Sequence, residues 1–493
     1  MTLRCDDSPQ AGVRLRNVPA GVACLLLALC GCASVEPKAA SAIAVEVPAA
    51  WSSAAPAAPA GTSSLAQWWL RFDDPQLVGL VSQALVANTS INGAQAALRQ
   101  AKALRDVSAA GLLPTVGGSA SAQRGRAGNS SAASNVRAGL DASWELDVFG
   151  ANQSALDASE ATALASAARL GDVQVSVAAE VALGYITLRG AQTLLAIAGD
   201  NLAIQQETLQ LTQWRLQAGL VSSLEAEQAR GAVEQTRAQL PALQTSIEQS
   251  GHALAVLTGR PPAALSSLLA EARPVPQPAG DLVLAIPAET MRQRPDVRDA
   301  EHQVAAALAR VAQADAARLP SFQLSGSIGV TALTLAALTN GTSVISALAA
   351  GVSVPLFDGG AARAQVRAQQ AALDQAVLAY QATVLTALRD VEDGLVALRG
   401  DRERVARLQL AAEAATNAAL LARQRYASGL TDFQTVLDTQ RSQLVAQESV
   451  AAASANLSAD HVRLYKSLGG GWRPEGNETI GAAAADFTGR SHP

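Results

Sequence analysis

The segment that decides the fold runs from Val136 to Val148 and reads V-R-A-G-L-D-A-S-W-E-L-D-V. Every even-numbered position is apolar, and the odd-numbered positions carry all of the charges. Because the side chains of a strand point alternately to its two faces, this pattern predicts a β-strand with one apolar and one polar face. A soluble sheet would alternate in the same way, but the length and the exported context described below favour a strand that crosses a membrane. Its polar face then lines the lumen of a barrel with Asp141, Glu145 and Asp147.

Three further segments carry the alternation, the last of them less regularly: Thr115–Gln123, Ser321–Val330 and Val344–Leu356. Four strands cannot close a barrel, and a strand edge that faces lipid leaves its backbone groups without hydrogen bonds. The chain must therefore associate with copies of itself if these strands span a membrane. Since the smallest barrels have about eight strands, two, three or four copies remain open, and a water-filled lumen excludes the smallest.

The rest of the chain is organised by an internal repeat with an offset near 208 residues. Four matches carry it: Leu113-Pro114 with Leu319-Pro320, Phe149 with Phe357, Val181–Gly190 with Val391–Gly400, and Arg215–Leu220 with Arg425–Leu430. Each copy reads as a helix, two strands, a long helix, a turn and a further helix. We predict that the first copy covers residues 65–260 and the second 290–468, with a proline-rich connector at 261–289.

Each copy also contains a long span without proline, which allows an uninterrupted helix. In the second copy, alternating steps of four and three residues from Leu373 to Tyr426 meet apolar residues everywhere except at Gly394 and Asp401. This spacing predicts a coiled-coil seam. A helix over about 362–426 would be roughly 100 Å long at about 1.5 Å per residue, which is too long for a compact domain.

The N-terminus is typical of an exported protein. Residues 1–31 combine basic residues with an apolar run that suits a secretory signal and is too short to span a bilayer. The run ends in Leu29-Cys30-Gly31-Cys32, the pattern of a bacterial lipoprotein signal, so Cys32 is predicted to become the lipidated first residue. A plain signal peptide is the alternative. A linker is predicted at 32–64 and a disordered tail at 469–493.

The composition excludes several classes of function. Charged residues make up 16% of the chain and aromatic residues 3%, and the net charge is −5. An acidic chain without a basic face is not suited to bind nucleic acid. All four cysteines lie in the first 32 residues, and the four histidines are scattered, so no metal site and no catalytic motif stands out. We therefore predict that the protein is not an enzyme and carries no metal and no cofactor except the lipid on Cys32.

Five segments resemble the TolC-like outer membrane factor family, in particular its lipoprotein members of the NodT type. They are Trp68–Leu77 (W-W-L-R-F-D-D-P-Q-L), Ala142–Gly150 (A-S-W-E-L-D-V-F-G), Ile286–Glu301, Val354–Gly360 (V-P-L-F-D-G-G) and Leu464–Trp472. The resemblance implies a mixed α/β membrane protein, a homotrimer with a twelve-stranded outer-membrane β-barrel to which each chain gives four strands. A coiled-coil α-helical barrel would continue it across the periplasm. The resemblance thus selects three copies, which the strand count leaves open.

The resemblance also assigns a role to two turns. The turns at 215–222 and 425–432 resemble the periplasmic tips that meet the adaptor protein in that family. The predicted adaptor-contacting residues are Gly219, Leu220, Gly429 and Leu430. Glycine suits a turn between helices because it adopts left-handed backbone angles without steric cost. Capping of the helices is the simpler interpretation, and the two roles are compatible.

A predicted gate follows the second turn. Residues 433–441 resemble the family stretch whose aspartate and arginine line and latch the closed periplasmic aperture. Carried over, these residues are Asp438 and Arg441, with Gln434 where the family often has a bulky apolar residue. Three copies of Asp438 around a threefold axis would form an anionic ring that holds cations. Alternatively, Asp438 and Arg441 pair on a solvated helix face, since they are three residues apart.

The sequence therefore predicts a passive exit duct in the bacterial outer membrane, lipid-anchored and extending into the periplasm. By resemblance it conducts drugs or other small toxic compounds, and a periplasmic adaptor and an inner-membrane pump of the RND type open it. A structural coiled-coil lipoprotein of the envelope is one alternative. The outer-membrane duct of a type I protein secretion system is another.

Overall fold

A computed structural model of the chain describes residues 48, 50–52, 65–126, 128, 132–278, 292–334, 336–337 and 344–472. The predicted signal, Cys32 and all residues after Trp472 lie outside the described residues. The described part consists mostly of long helices, with one sheet of four strands.

The first copy begins with a 3₁₀ helix, Leu65–Phe72, and two α-helices. Its helices and strands are α1 (Pro75–Ala87), α2 (Thr89–Ala110), β1 (Thr115–Gly125), β2 (Ala133–Leu146), α3 (Ala151–Gln217) and α4 (Ser223–Leu257). The connector contains a short 3₁₀ helix, Pro262–Leu265, and the single turn α5 (Ser266–Leu269). The second copy consists of α6 (Pro295–Ala316), β3 (Ser321–Ala332), β4 (Val344–Ser353), α7 (Ala361–Ala427) and α8 (Phe433–Ser467).

The two copies match closely in length. Helix α7 begins and ends 210 residues after α3, and α8 has the same offset from α4. Helix α6 lies 206 residues after α2, and both contain 22 residues. The predicted long helix at 362–426 agrees with α7 to within one residue at each end.

Glycine at the predicted seam has a packing role. A Cβ placed on Gly394 would lie 3.3 Å from Cδ1 of Leu464, and one on Gly184 would lie 3.3 Å from Cδ2 of Leu254. The two contacts are equivalent in the repeat. The glycine thus lets the returning helix insert a leucine against the long helix, which explains why the apolar seam is interrupted at Gly394.

The predicted strand ends need correction. Strand β2 ends at Leu146 instead of Val148, and β4 ends at Ser353 instead of Leu356. Pro355 has no N–H to donate to a strand ladder, which accounts for the early end of β4. Conversely, α4 continues through Pro241, although proline usually interrupts a helix.

The main core joins the two ends of the folded body. The Trp68 ring stacks on the Tyr465 ring with centroids 5.2 Å apart, and the N–H of Gly471 donates to the carbonyl of Leu65 at 3.0 Å. Residues 469–472 are therefore packed, and the predicted disordered tail does not begin at 469. A Cβ on Gly470 would lie 2.9 Å from the Trp68 ring, so this close approach requires glycine.

Part of the predicted linker is also packed against the body. Trp51 is 7% exposed and belongs to a second apolar cluster with residues of α6, α7 and α8. The backbone N–H and the hydroxyl of Ser52 donate to the Glu392 carboxylate on α7 at 2.7 and 2.6 Å. Residues that precede the first repeat in the sequence therefore pack against the second repeat of the same chain.

Candidate functional site

One face of the sheet is mainly apolar, with Ser346 on β4 and Arg124 near the end of β1 as exceptions. Its strands are antiparallel in the order β1-β2-β3-β4. The register places Leu140 opposite Ile328 and Trp144 opposite Leu324, and no charged residue occurs on this side of the β2–β3 ladder. Leu140 and Ile328 are 55% and 56% exposed. The middle of this face is thus open in the described chain, which suits contact with lipid.

The opposite face carries the predicted lumen carboxylates. Asp141 and Glu145 lie on the polar side of β2, opposite Ser327 and Gln323. The hydroxyl of Ser119 on β1 donates to Oδ2 of Asp141 at 2.9 Å. Asp141 and Glu145 therefore occupy the face predicted to line a lumen.

Asp147 has a different position from the one predicted, because it lies one residue beyond β2. Its carboxylate accepts the backbone N–H groups of Asn152 and Gln153 at 3.1 and 2.7 Å, at the start of α3. In the second copy, Asp358 accepts the N–H groups of Gly360 and Ala362 in the same way. These hydrogen bonds lower the pKa of Asp358 below its usual range, the bond from Ala362 most of all. Asp147 thus caps a helix and is not part of the strand row.

Both outer strands of the sheet have an open edge. In the described part of the chain, β1 pairs only with β2, and β4 pairs only with β3. Every residue of β1 and of β4 is exposed. An open edge beside a lipid-facing surface would leave several N–H and C=O groups without partners. Strands from other molecules of the same chain are therefore needed to complete the sheet.

The two predicted tips share one backbone geometry. Gly219 and Gly429 have φ angles of +66° and +73°. The N–H of Leu220 donates to the carbonyl of Arg215, and that of Leu430 to the carbonyl of Arg425, both at 2.9 Å. This pattern is a Schellman motif, which ends a helix with a left-handed residue. Both glycines are therefore helix caps, as the simpler interpretation had it, and the adaptor contact of the tips stays a prediction.

A cluster of three side chains connects the tips, and the sequence patterns did not predict it. The guanidinium of Arg215 lies 4.5 Å from the ring centre of Tyr426, and it donates to the carbonyls of Tyr426 and Ala427 at 3.4 and 3.2 Å. The hydroxyl of Tyr426 donates to Glu225 at 3.1 Å. Burial raises the pKa of Tyr426, so the hydroxyl keeps the proton that it donates. The repeat gave one indication of this cluster, because Tyr426 occupies the position that corresponds to Leu216 in the first repeat.

The predicted gate residues lie along one face of α8. The side-chain amide of Gln434 donates to Oδ1 of Asp438 at 2.9 Å, and a guanidinium nitrogen of Arg441 is 3.8 Å from the same oxygen. All three side chains are exposed. Within one described chain they pair along the helix, as the alternative interpretation expected. Their role at an aperture stays a prediction.

Among the described residues, no group of three or more His, Cys, Asp or Glu side chains could hold a metal ion. The features that remain are an uncovered apolar sheet face, two open strand edges and two exposed helical tips.

Comparison with known proteins gives consistent matches. The profile of the outer membrane efflux protein family matches residues 80–260 and 286–470, one match in each copy of the repeat. The chain is 31% identical over 472 residues to outer membrane protein OprJ of Pseudomonas aeruginosa, covering 93% of this chain and 97% of that protein. It is 30% identical over 441 residues to nodulation protein T of Rhizobium leguminosarum bv. viciae, covering 88% and 91%.

Two solved structures show the same likeness. The outer-membrane channel OprN superposes with a TM-score of 0.81 at 35% identity, covering 87% of this chain and 99% of that chain. The open state of the MtrE outer membrane channel of Neisseria gonorrhoeae gives a TM-score of 0.77 at 27% identity, covering 87% and 96%.

Proposed function

The chain belongs to the outer membrane efflux protein family. We propose that three molecules of this chain together form an exit duct. The predicted fold class, outer-membrane location and function as the outer-membrane duct of an efflux system are confirmed by the family match and by the likeness to OprJ and OprN. The observation that carries the proposal is the four-stranded sheet with one uncovered apolar face and two open edges.

Three copies supply twelve strands, so that β1 of one copy pairs with β4 of the next and no edge faces lipid. The apolar face with Leu140 and Ile328 then contacts lipid, and Asp141 and Glu145 face the lumen. Twelve strands are more than the roughly eight of barrels that side chains fill, so water can occupy the inside.

A charge on each face of β2 tests this arrangement. Arg in place of Leu140 puts a charge into lipid at a cost of about 2–4 kcal/mol near the middle of the bilayer. We expect Leu140→Arg to abolish assembly of heat-resistant trimers in the outer membrane. Ser143→Arg, on the polar face of the same strand, should assemble normally. Equal assembly of the two variants would contradict the assignment of the faces.

The helical tips are proposed to contact a periplasmic adaptor, which connects the duct to an inner-membrane pump of the RND type. Leu220 and Leu430 support this proposal because they are 74% and 73% exposed at the ends of the two hairpins. Exposed leucines at a rigid turn offer apolar area to a partner at little entropic cost. The Leu220→Asp, Leu430→Asp double variant should lose adaptor capture in pull-down experiments while still forming trimers.

The lipid anchor is proposed on Cys32, from the pattern of the N-terminal sequence. Metabolic labelling with palmitate should label the wild-type protein and leave Cys32→Ser unlabelled. Label that persists in the Cys32→Ser variant would contradict the anchor, and the trimer assembly of that variant would separate anchoring from barrel formation.

A further inference from the structure

The charged residues of the sheet are divided between its two ends. The acidic ones, Asp141 and Glu145, lie on the half of β2 that leads to α3. Three arginines lie on the other half, towards the β1–β2 turn: Arg124, Arg126 and Arg137. The sequence contains no other charged residue from 115 to 146 or from 321 to 353. The end of the sheet away from the helices therefore has positive charge and no carboxylate to balance it.

The register separates these arginines by face. Arg124 pairs with Ser134, which places it on the mainly apolar face together with Leu140. In the described strands it is the only charged residue on that face. Arg137 lies on the opposite, polar face. Arg124 is exposed, and so is Arg126, which lies one residue beyond the end of β1.

Arg124 lies at the height expected for lipid headgroups. The apolar row of β2 begins at Val136 and ends at Leu146. At about 3.3 Å per residue and a strand tilt of about 40°, this row spans roughly 25 Å along the membrane normal, which is the height of the apolar band of outer-membrane barrels. Ser134, the partner of Arg124, lies two residues beyond Val136. Arg124 is therefore placed just outside the hydrocarbon layer.

This end of the sheet faces the outside of the cell. At its opposite end every strand connects to a helix, namely α2, α3, α6 or α7. In the outer membrane efflux protein family these helices extend into the periplasm. The β1–β2 turn is therefore on the external side, and Arg124 lies beside the headgroups of the outer leaflet.

We propose that Arg124 and Arg126 bind phosphate groups of lipids in the outer leaflet. A phosphate monoester carries about 1.5 to 2 negative charges at neutral pH, and a guanidinium binds it through two parallel hydrogen bonds. A long arginine side chain can lie along apolar surface and keep its charge in the headgroup layer. The inference rests on the proposed barrel, in which three molecules would place these arginines around the outer rim.

Native mass spectrometry of purified full-length trimers tests this contact, with diphosphoryl lipid A as the added lipid. The test variant is the Arg124→Gln, Arg126→Gln double variant. The control is Arg137→Gln, which removes the same charge from the same end of the sheet on its polar face. An arginine beside an anionic lipid surface contributes about fivefold in affinity, so the double variant should bind the lipid about twentyfold more weakly. The control should bind it like the wild type, and the wild type should bind monophosphoryl lipid A more weakly.

Three outcomes would overturn the lipid contact. The first is equal affinity of the double variant and the wild type, and the second is an equal loss in Arg137→Gln, which would show that the face does not matter. The third is displacement of the lipid by inorganic phosphate at the same concentration, which would indicate a site for free anions. The spectra also count the subunits. Wild-type protein without trimers would contradict the proposed duct together with this contact, whereas trimers with unchanged lipid binding in the double variant would contradict the contact alone.

Discussion

Helices α3 and α7 are equivalent in the repeat and equally long, yet the rest of the chain buries far more of α3 than of α7. Of 67 residues in each, 24 are buried in α3 and eight in α7. Helix α3 packs against α1, α2, α4, α6 and α8, whereas α7 packs mainly against α6 and α8. Exposed leucines remain along α7: Leu378, Leu385, Leu410, Leu420 and Leu421. The first hairpin is thus stabilised within the chain, and the second leaves apolar surface for neighbouring copies.

Two equivalent arginines should show the largest difference between the copies. Arg189 on α3 is fully buried and donates to Gln192 at 2.5 Å and to the carbonyl of Glu271 at 2.7 Å, and it also donates to Gln76. Its equivalent on α7, Arg399, is exposed. Arg189→Ala leaves several buried acceptors without a donor and should lower the free energy of unfolding by about 3 kcal/mol or more. Arg399→Ala should change it by less than about 0.5 kcal/mol. Similar losses in thermal unfolding would show that burial does not distinguish the copies.

The contact between the tips should have an intermediate effect. Arg215→Ala removes the stacking on Tyr426 and two hydrogen bonds to the α7 end, a loss of about 1–2 kcal/mol. The equivalent Arg425 is exposed, so Arg425→Ala is the matched control. We expect only Arg215→Ala to increase proteolytic cleavage near the tips of purified trimers. Equal cleavage of both variants would mean that the cluster does not hold the hairpins together.

The two tip glycines should behave alike, because their motifs are the same in both copies. Alanine at a left-handed position costs about 1 kcal/mol. Gly219→Ala and Gly429→Ala should therefore lower the unfolding midpoint by similar, small amounts in a thermal scan. A much larger effect at one tip would show that this glycine has a role beyond ending its helix.

Most of the fold could be predicted from local sequence patterns. The heptad spacing placed α7 to within a residue because a seam repeats its signal over many turns. The alternation found all four strands, but their ends depend on Pro355 and on the capping by Asp147, which a period-two pattern does not register.

Contacts between distant segments could not be predicted. The packing of Trp51 on the second copy, of Gly471 on Leu65 and of Arg215 on Tyr426 all join residues far apart in the sequence. The interruption of the seam at Gly394 could be seen in the sequence, but its cause is the contact with Leu464 on α8. The trimer and the roles of the tips and gate came from the resemblance and not from the residue pattern.

The single-channel conductance of purified trimers in planar bilayers tests the central claim most directly. If the duct is closed at its periplasmic end, wild-type trimers should have a low conductance. Asp438→Ala, Arg441→Ala and Arg215→Ala remove side-chain interactions near that end. These variants should therefore have a conductance several times higher. The Asp438→Ala variant should also lose part of its preference for cations. Trimers that insert into the bilayer but form no pore in any variant would contradict the account.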